Sequence, residues 1–300
     1  MPLITNDGQR IAALRGDSMY FAGIDIGSAT TKVVIMNGST DGKILTSILG
    51  PTGPEHRRLV NRVMEEALGH VDLSLDDLTY IVATGYGRIS VPFADKQITE
   101  ISCHARGIVS LFPTAKTVID IGGQDCKGIK IAGGRVQNFV MNDKCAAGTG
   151  RFLEVTAEAL GLTVEQIGPI SLRARSSVKI SSVCTVFAEQ EIVSRLAEGV
   201  PVEDILAGVH DSIAARVYGM IERIVVEKDV VLTGGGAKNV GLRRAIEDKL
   251  GYPLLIPPEP SLTGAIGAAL LGAELARKAA ERGQPVGGKS RHLAEATFFT

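Results

Sequence analysis

The sequence predicts an α/β protein built from two similar halves. Short apolar strands alternate with amphipathic helices along the chain, a pattern typical of sheets that are covered by helices. The motif Ile-Asp-Ile-Gly occurs twice, with its aspartate at Asp25 and at Asp120. In each half the motif ends a strand and is followed by a second strand, a turn and a third strand. This agreement in motif, order and following strands predicts a duplicated domain.

The first half, residues 20–116, follows a polar and aperiodic extension of residues 1–19. Runs of β-branched and apolar residues that end in glycine turns predict its strands, and apolar residues at helical spacing predict its helices. In chain order, the predicted elements are strands at 20–27, 32–36 and 43–49, a helix at 55–69, a strand at 80–84 and a helix at about 102–111.

The second half, residues 117–262, repeats the opening pattern and then becomes richer in helices. Its predicted strands lie at 117–122, 128–132, 136–141, 178–183, 229–233 and 252–256, and its predicted helices at about 147–160, 186–197, 202–225 and 240–250. A final small-residue helix at 263–280 is expected to complete the first domain, and residues 281–300 are expected to form a polar tail.

Composition excludes several functional classes. The 300 residues are 45% hydrophobic and 22% charged, with a net charge of −1, which argues against disorder and against nucleic-acid binding by bulk positive charge. The uncharged apolar stretch at 261–273 is shorter than the ~20 residues that cross a bilayer. The N-terminal residues lack the apolar core of a secretion signal. We therefore expect a cytoplasmic protein without a disulfide framework and without nucleic-acid or membrane partners.

The two Asp-x-Gly motifs and a third glycine turn have the features of phosphate sites. Glycine lets a backbone approach phosphate, and an aspartate at a strand end suits a hydrated Mg²⁺. The chain contains neither a P-loop nor a dinucleotide motif. A single Asp-x-Gly is equally compatible with a plain β-turn, but two in register together with a Gly-Gly-Gly turn favour nucleotide binding. The candidate residues are Asp25, Gly27, Ser28, Thr30, Thr31 and Lys32, then Asp120, Gly122, Gly123 and Gln124, and finally Gly234, Gly235, Gly236 and Ala237.

From residue 20 to about 280, this constellation resembles the superfamily of actin, sugar kinases and heat-shock chaperone ATPases. In that superfamily two ribonuclease H-like domains close over ATP with two phosphate loops and a glycine-rich adenosine loop. The resemblance implies ATP and Mg²⁺ as cofactors and the three candidate groups as those three loops. It also implies catalytic roles for Asp25 and Asp120 beside Mg²⁺, and for Gln124 in orienting the attacking water.

Cys145 and Cys184 each precede a predicted helix, where the helix dipole favours a thiolate. Two converging thiolates would suit a metal or an iron–sulfur cluster, although two buried small residues are the alternative interpretation. Cys103 and Cys126 are expected to be core or loop residues. The Cys103-His104 pair has no second pair at zinc-ligand spacing.

The segments around both cysteines, residues 142–154 and 184–189, resemble the BadF/BadG/BcrA/BcrD-type ATPases, as do residues 83–88 and 95–106. This family comprises activators of 2-hydroxyacyl-CoA dehydratases and ATPase subunits of benzoyl-CoA reductases. The resemblance implies that Cys145 and Cys184, with the same residues of a second subunit, hold one 4Fe-4S cluster per dimer. ATP hydrolysis would then drive an electron at low potential to a partner enzyme.

The implied partners are a second copy or a homologous ATPase subunit, larger iron–sulfur subunits that bind the acyl-CoA substrate, and a ferredoxin or flavodoxin as electron donor. Within the family, the extension and the polar tail would suit a subunit with permanent neighbours, so the sequence favours a benzoyl-CoA reductase subunit over a dehydratase activator. A small-molecule kinase of the same fold and an actin-like scaffold are two further hypotheses, and both leave Cys145 and Cys184 unexplained.

Overall fold

A computed structural model describes residues 19–38, 42–53, 55–143, 145–180, 184–286, 291 and 293. Most of the predicted extension and much of the predicted tail therefore lie outside the described residues. The chain divides into two compact units. The first unit contains residues 1–107 and 264–300, and the second contains residues 108–263.

The secondary structure alternates as expected. The strands are β1 (Tyr20–Ile26), β2 (Thr30–Asn37), β3 (Ile44–Pro51), β4 (Leu78–Thr84), β5 (Lys96–Gln97), β6 (Thr117–Ile121), β7 (Cys126–Ala132), β8 (Arg135–Asn142) and β9 (Val230–Thr233). The helices are α1 (His56–Gly69), α2 (Glu100–Leu111), α3 (Gly150–Ala159), α4 (Val164–Ser171), α5 (Thr185–Ala197), α6 (Val202–Ile221), α7 (Val240–Leu250) and α8 (Thr263–Glu281).

The two units repeat one sheet topology. Among the described residues, the sheet of the first unit has the order β3-β2-β1-β4-β5 and that of the second has the order β8-β7-β6-β9. In both sheets, the first three strands form an antiparallel meander, and the next strand pairs in parallel with the first. The register is also repeated, because Asp25 lies opposite Lys32 and Asp120 lies opposite Lys127. Each aspartate thus lies near the end of its strand, beside the last residue of the parallel neighbouring strand, β4 for Asp25 and β9 for Asp120.

Each unit has its own apolar core, which fixes the sheets that carry these aspartates. In the first unit, Ile24, Ile35 and Ile81 of the sheet share a core cluster with Val63 and Met64 of α1. The α8 helix approaches β1 so closely that a Cβ atom at Gly23 would lie 1.9 Å from the carbonyl oxygen of Ala265. In the second unit, β6 and β9 share a core with α3, α4, α5, α6 and α7. Burial of these side chains supplies most of the stabilisation.

Two strand predictions in the second half were wrong. Residues 178–180 are not a strand, and residues 181–183 lie outside the described residues. This segment lies against α6 instead, where a Cβ atom at Gly208 would be 1.7 Å from the carbonyl oxygen of Val178. Residues 252–256 form only an isolated bridge between Leu255 and Val231, since two prolines follow directly.

The helix predictions also need corrections. Helix α3 begins at Gly150 rather than near residue 147, because Gly148 has a φ of +92° and Thr149 is extended. Helix α6 ends at Ile221 and is followed by a short 3₁₀ turn. Helix α4 and strand β5 were not predicted. Among the described residues, no helix is both long and apolar enough to cross a membrane.

One buried polar contact in the second unit predicts a pH-dependent stability. His210 of α6 is 1% exposed, its Nδ1 lies 2.9 Å from Ser171 Oγ, and its Nε2 has no hydrogen-bond partner among the described residues. Burial lowers the pKa of His210 to about 4. The unfolded chain, with a pKa of about 6.5, therefore binds this proton first as the pH falls. The free energy of unfolding should drop by up to about 3 kcal/mol between pH 6.5 and pH 4 from this residue.

Urea unfolding between pH 4.5 and pH 7.5 measures this effect. His210→Leu should reduce the slope of stability against pH, while Ser171 Oγ keeps its bond to the carbonyl oxygen of Gly168 at 2.8 Å. Substituting the exposed His70 with glutamine serves as the control and should leave the slope unchanged. If the slope of stability against pH were unchanged in His210→Leu, His210 would not be the source of the pH dependence.

Candidate functional site

The first candidate group surrounds Asp25 at the end of β1. The residue is 4% exposed, and its Oδ2 lies 3.2 Å from the Nζ atom of Lys32 across the β1–β2 ladder. The intervening turn is closed by the amide of Gly27, which donates to the carbonyl oxygen of Thr30 at 3.0 Å. Asp25, Gly27 and Lys32 thus lie together at the turn between β1 and β2.

The hydroxyl residues of this turn divide into two sets. Thr31 is buried, and its Oγ1 pairs with Thr52 Oγ1 at 2.9 Å, so its hydroxyl supports the turn from within the first unit. Ser28 and Thr30 are partly exposed. They are therefore better placed than Thr31 to contact a phosphate.

Gly85, directly after β4, is a site residue that the sequence analysis did not select. It has a φ of +84°, and a Cβ atom there would lie 2.5 Å from both Asp25 Oδ1 and the carbonyl oxygen of Ile26. Only glycine combines this backbone conformation with such an approach. The amide of Gly87 also donates to the carbonyl oxygen of Ile26 at 3.0 Å, so the turn after β4 covers the end of β1.

The second candidate group repeats this arrangement around Asp120. The Nζ atom of Lys127 lies 3.2 Å from Asp120 Oδ2 and 2.7 Å from Asp125 Oδ2, and its side chain is 3% exposed. The amide of Gly122 donates to the carbonyl oxygen of Asp125 at 3.0 Å. Gln124 is exposed in the turn. Asp120 therefore belongs to a network of two carboxylates and one buried lysine, in which Asp120 is buried and Asp125 is partly exposed.

Lys127 was missed by the sequence analysis although a signal for it was present. It follows Asp120 at the same interval as Lys32 follows Asp25, and the strand register places both lysines opposite their aspartates. Extending the internal repeat beyond the Asp-x-Gly motif would have identified it.

The glycine turn after β9 packs directly against Asp120. Gly234 has a φ of +82°, and a Cβ atom there would lie 2.7 Å from Asp120 Oδ1 and 2.4 Å from the carbonyl oxygen of Ile121. Gly234 therefore stands to Asp120 as Gly85 stands to Asp25. The predicted loop continues as a short 3₁₀ helix over Gly235–Lys238, which includes Gly236 and Ala237, and Asn239 then caps α7.

The segment after Cys145 is held by polar contacts rather than by a helix. The side-chain amide of Asn142 donates to the carbonyl oxygens of Cys145 at 2.9 Å and of Ala147 at 3.2 Å. The hydroxyl of Thr149 donates to the carbonyl oxygen of Ala146 at 2.7 Å. Cys145 therefore precedes α3, as the sequence predicts, but a compact turn separates it from Gly150, the first residue of the helix.

The start of α3 is bonded to the second phosphate-loop candidate. The amide of Gly150 donates to the carbonyl oxygen of Gly122, and the amide of Arg151 donates to that of Gly123, both at 2.8 Å. These two bonds connect the turn after Asp120 to the segment that carries Cys145. The connection lies within the second unit.

Cys184 is the N-cap residue of α5, which packs against α3. Neither Cys145 nor Cys184 forms a disulfide, and both are partly exposed; the next apolar side chains of α5, Val186 and Phe187, are 57% and 62% exposed. Among the described residues, no group of three or more His, Cys, Asp or Glu side chains is placed to hold a metal ion. Within the described part of one chain, these cysteines are thus at most a partial ligand set.

Cys103 and Cys126 lie in a different environment. Both thiols are buried, Cys103 in α2 and Cys126 at the start of β7. Burial raises the pKa of Cys103 to about 12 and raises the pKa of Cys126 as well. Neutral, enclosed thiols are poor metal ligands.

Curated relatives match nearly the whole chain. It is 47% identical over 256 residues to the 2-hydroxyisocaproyl-CoA dehydratase activator of Clostridioides difficile, covering 84% of this chain and 94% of the relative. It is 44% identical to the (R)-2-hydroxyglutaryl-CoA dehydratase activating ATPase of Acidaminococcus fermentans, covering 87% and 100%. Identity to a benzoyl-CoA reductase subunit of Thauera aromatica is 33%, covering 88% and 96%.

Solved structures confirm the predicted fold class. The Clostridium difficile activator with bound ADPNP superposes with a TM-score of 0.83 at 44% identity, covering 88% of this chain and 98% of that structure. Two distant structures share the fold alone. They are the ethanolamine utilization protein EutJ of Carboxydothermus hydrogenoformans (TM-score 0.57, 15% identity, 84% and 89% covered) and a ROK family glucokinase of Streptomyces griseus (0.53, 14%, 86% and 99%).

The paired phosphate-loop candidates, the two partly exposed cysteines and the relatives agree with the match of residues 22–272 to a single family model. The chain belongs to the BadF/BadG/BcrA/BcrD ATPase family.

Proposed function

We propose that this chain is the ATP-hydrolysing activator of a 2-hydroxyacyl-CoA dehydratase. The observation that supports this most strongly is identity of 44% and 47%, along nearly the whole chain, to relatives that are named as such activators. The polar extension and the polar tail of the sequence favoured a benzoyl-CoA reductase subunit. The 33% identity to the Thauera aromatica reductase subunit supports this less, so the preference is reversed.

The nucleotide would bind at the two aspartates and the glycine turns. Asp25 and Asp120 would each hold Mg²⁺ or its waters, because each is a buried carboxylate at a strand end with an adjacent lysine. Ser28, Thr30, Lys32, Gly122 and Gly123 would contact phosphate oxygens. The positive-φ turn that begins at Gly234 would let the adenosine approach the backbone.

The cysteines fit a shared iron–sulfur cluster. A 4Fe-4S cluster takes four thiolates, and Cys145 and Cys184 would supply two, since both are partly exposed and neither forms a disulfide. A second copy would supply the other two across a two-fold axis. The exposed Val186 and Phe187 beside Cys184 suit a surface that another subunit covers. When bound, the cluster would supply a low-potential electron for the dehydratase.

This chain's own residues also provide a route for coupling. Gly122 and Gly123 would contact phosphate, and their carbonyl oxygens accept from Gly150 and Arg151 at the start of α3. A change at the phosphate would therefore move the segment that carries Cys145. Cluster potential depends on hydrogen bonds to sulfur and on solvent exposure, so it should depend on the nucleotide.

A pair of variants at one residue tests this coupling. Arg151→Pro removes the amide that bonds Gly123 at a first-turn position where proline is tolerated, whereas Arg151→Ala keeps it. Redox titration with EPR should give different midpoint potentials without nucleotide, with ADP and with non-hydrolysable ATP. We expect differences of ~100 mV, equal to about 2.3 kcal/mol. They should shrink in Arg151→Pro and persist in Arg151→Ala. Identical potentials in all three states of the parent protein would exclude coupling.

The proposed function itself is tested by activation of a dehydratase. The anaerobically purified chain is combined with a 2-hydroxyacyl-CoA dehydratase, ATP, Mg²⁺ and a strong reductant, and enoyl-CoA formation is followed. Substoichiometric amounts should activate the dehydratase, with many products formed per ATP hydrolysed. The absence of activation, or ATP use in proportion to turnover as in a reductase, would contradict the proposal. Co-purification with large iron–sulfur subunits would favour a role as a reductase subunit.

A further inference from the structure

The carboxylate of Asp25 and the imidazole of His104 both lie beside the backbone of Gly264, which has no side chain. Gly264 lies in the first turn of α8, and a Cβ atom there would be 2.9 Å from Asp25 Oδ2 and 3.2 Å from His104 Nε2. Both side-chain atoms therefore border the same point, within the first unit. Any residue larger than glycine at position 264 would displace one of them.

Both side chains are buried, and both are of a type that can donate, accept or carry a charge at a site. Asp25 is 4% exposed and His104 is 6% exposed. His104 lies in α2, a helix that also buries apolar residues such as Ile101 and Ile108. A buried imidazole and a buried carboxylate that border the same point are placed to act on each other.

The two carboxylate oxygens of Asp25 have different neighbours. Lys32, Gly264 and His104 all lie on the side of Oδ2, whereas the bare backbone of Gly85 borders Oδ1. The equivalent lysine in the second unit, Lys127, is shared between two carboxylates instead. The two aspartates are therefore chemically distinct, although the sheets that carry them are duplicated.

We propose that His104 is a positioning residue for Asp25. This inference rests on the proposed function, in which Asp25 acts on the Mg²⁺ nucleotide. His104 Nε2 donates toward Oδ2 through one water, and together with Lys32 it fixes the carboxylate. Oδ1, beside Gly85, is then the oxygen left for the waters of the metal ion. The absence of a side chain at Gly264 leaves room for this interaction.

Two amide variants of His104, which differ in how far the side-chain nitrogen extends, test whether Asp25 needs a donor at the position of Nε2. The amide nitrogen of glutamine extends about as far as Nε2, whereas that of asparagine ends near the position of Nδ1. His104→Gln should therefore keep the contact, and His104→Asn should lose it. We expect a loss of about 10- to 100-fold in kcat for His104→Asn, with a higher Mg²⁺ concentration for half-maximal ATP hydrolysis. His104→Gln should stay within a few-fold of the parent in both quantities.

The matched control is Ile101→Val, at a buried apolar neighbour on the same helix that carries no polar side-chain atom. It should leave kcat and the Mg²⁺ dependence unchanged. Thermal unfolding of each variant checks that the fold is retained. Gly264→Ala provides a second approach, because it keeps both Asp25 and His104 in the sequence while its Cβ atom displaces one of their side chains, and it should reproduce the effect of His104→Asn.

Parental kcat and Mg²⁺ dependence in His104→Asn would overturn the proposal, as would equal losses in His104→Gln and His104→Asn. If either histidine variant fails to fold, the Mg²⁺ dependence of Gly264→Ala decides, and an unchanged value overturns the proposal. Asp25→Asn separates this inference from its basis. Parental activity in Asp25→Asn would refute the nucleotide site itself, whereas a strong loss there with no effect at His104 would refute only the role of His104.

Discussion

Replacing Cys145 or Cys184 with serine should remove the iron from the anaerobically purified protein, whereas serine at Cys103 or Cys126 should leave it in place. The first two thiols are partly exposed, and one of them caps a helix. The other two are enclosed, and burial holds their pKa values above the usual range of a thiol. Thiolates are the form that binds iron, so only the first pair is suited to a cluster.

The measurement is iron and labile sulfide per chain, with EPR after reduction. Each of the two ligand variants should lose the cluster almost completely, because a serine on each of two subunits would leave two thiolates for four iron atoms. ATP hydrolysis at the separate nucleotide site should persist, which distinguishes loss of the cluster from loss of the fold. Full iron retention in Cys145→Ser would refute the ligand assignment, and loss of iron in Cys126→Ser would indicate a different set.

The fold could be predicted because its signals are local and repeated. The two Ile-Asp-Ile-Gly motifs, each after an apolar strand, predicted the duplicated α/β architecture, which the solved structures of the same fold confirm. The predicted strand at 178–183 shows the limit of local patterns. Residues 178–180 are β-prone in sequence, but close packing against Gly208 of α6 determines their path. Tertiary contacts of this kind override propensity.

The site was predicted less completely than the fold, for a different reason. Asp25, Lys32 and Asp120 belong to short motifs and could be identified directly. Lys127 follows Asp120 at the interval that separates Lys32 from Asp25, so the full repeat contains it, whereas Gly85 acquires its role through the parallel pairing of β4 with β1. His104 and Gly264 are 160 residues apart in sequence, and neither has a pattern that points to Asp25. Such contacts become visible only in three dimensions.

Asp120→Asn should lower the rate of ATP hydrolysis on the order of 100-fold, equal to about 2.7 kcal/mol of transition-state stabilisation, and Asp25→Asn should have an effect of similar size. Each variant removes one negative charge from a site proposed to hold a dication. The fold should tolerate Asp120→Asn, because Lys127 keeps its closer partner Asp125, at 2.7 Å, and is not left as an unpaired buried charge. The loss should therefore appear in kcat while thermal unfolding changes little.

Asp204→Asn provides the control in the same unit. Asp204 is also a buried carboxylate, but it accepts from Ser176 Oγ at 2.7 Å and from the amide of Arg175 at 2.9 Å, which is a structural role. Its substitution should lower stability and leave kcat per folded molecule unchanged. Steady-state hydrolysis of ATP at saturating Mg²⁺, measured beside thermal unfolding for all three variants, separates the two kinds of carboxylate. Parental rates in both Asp25→Asn and Asp120→Asn would show that these turns do not act on phosphate, even in a protein whose cluster is intact.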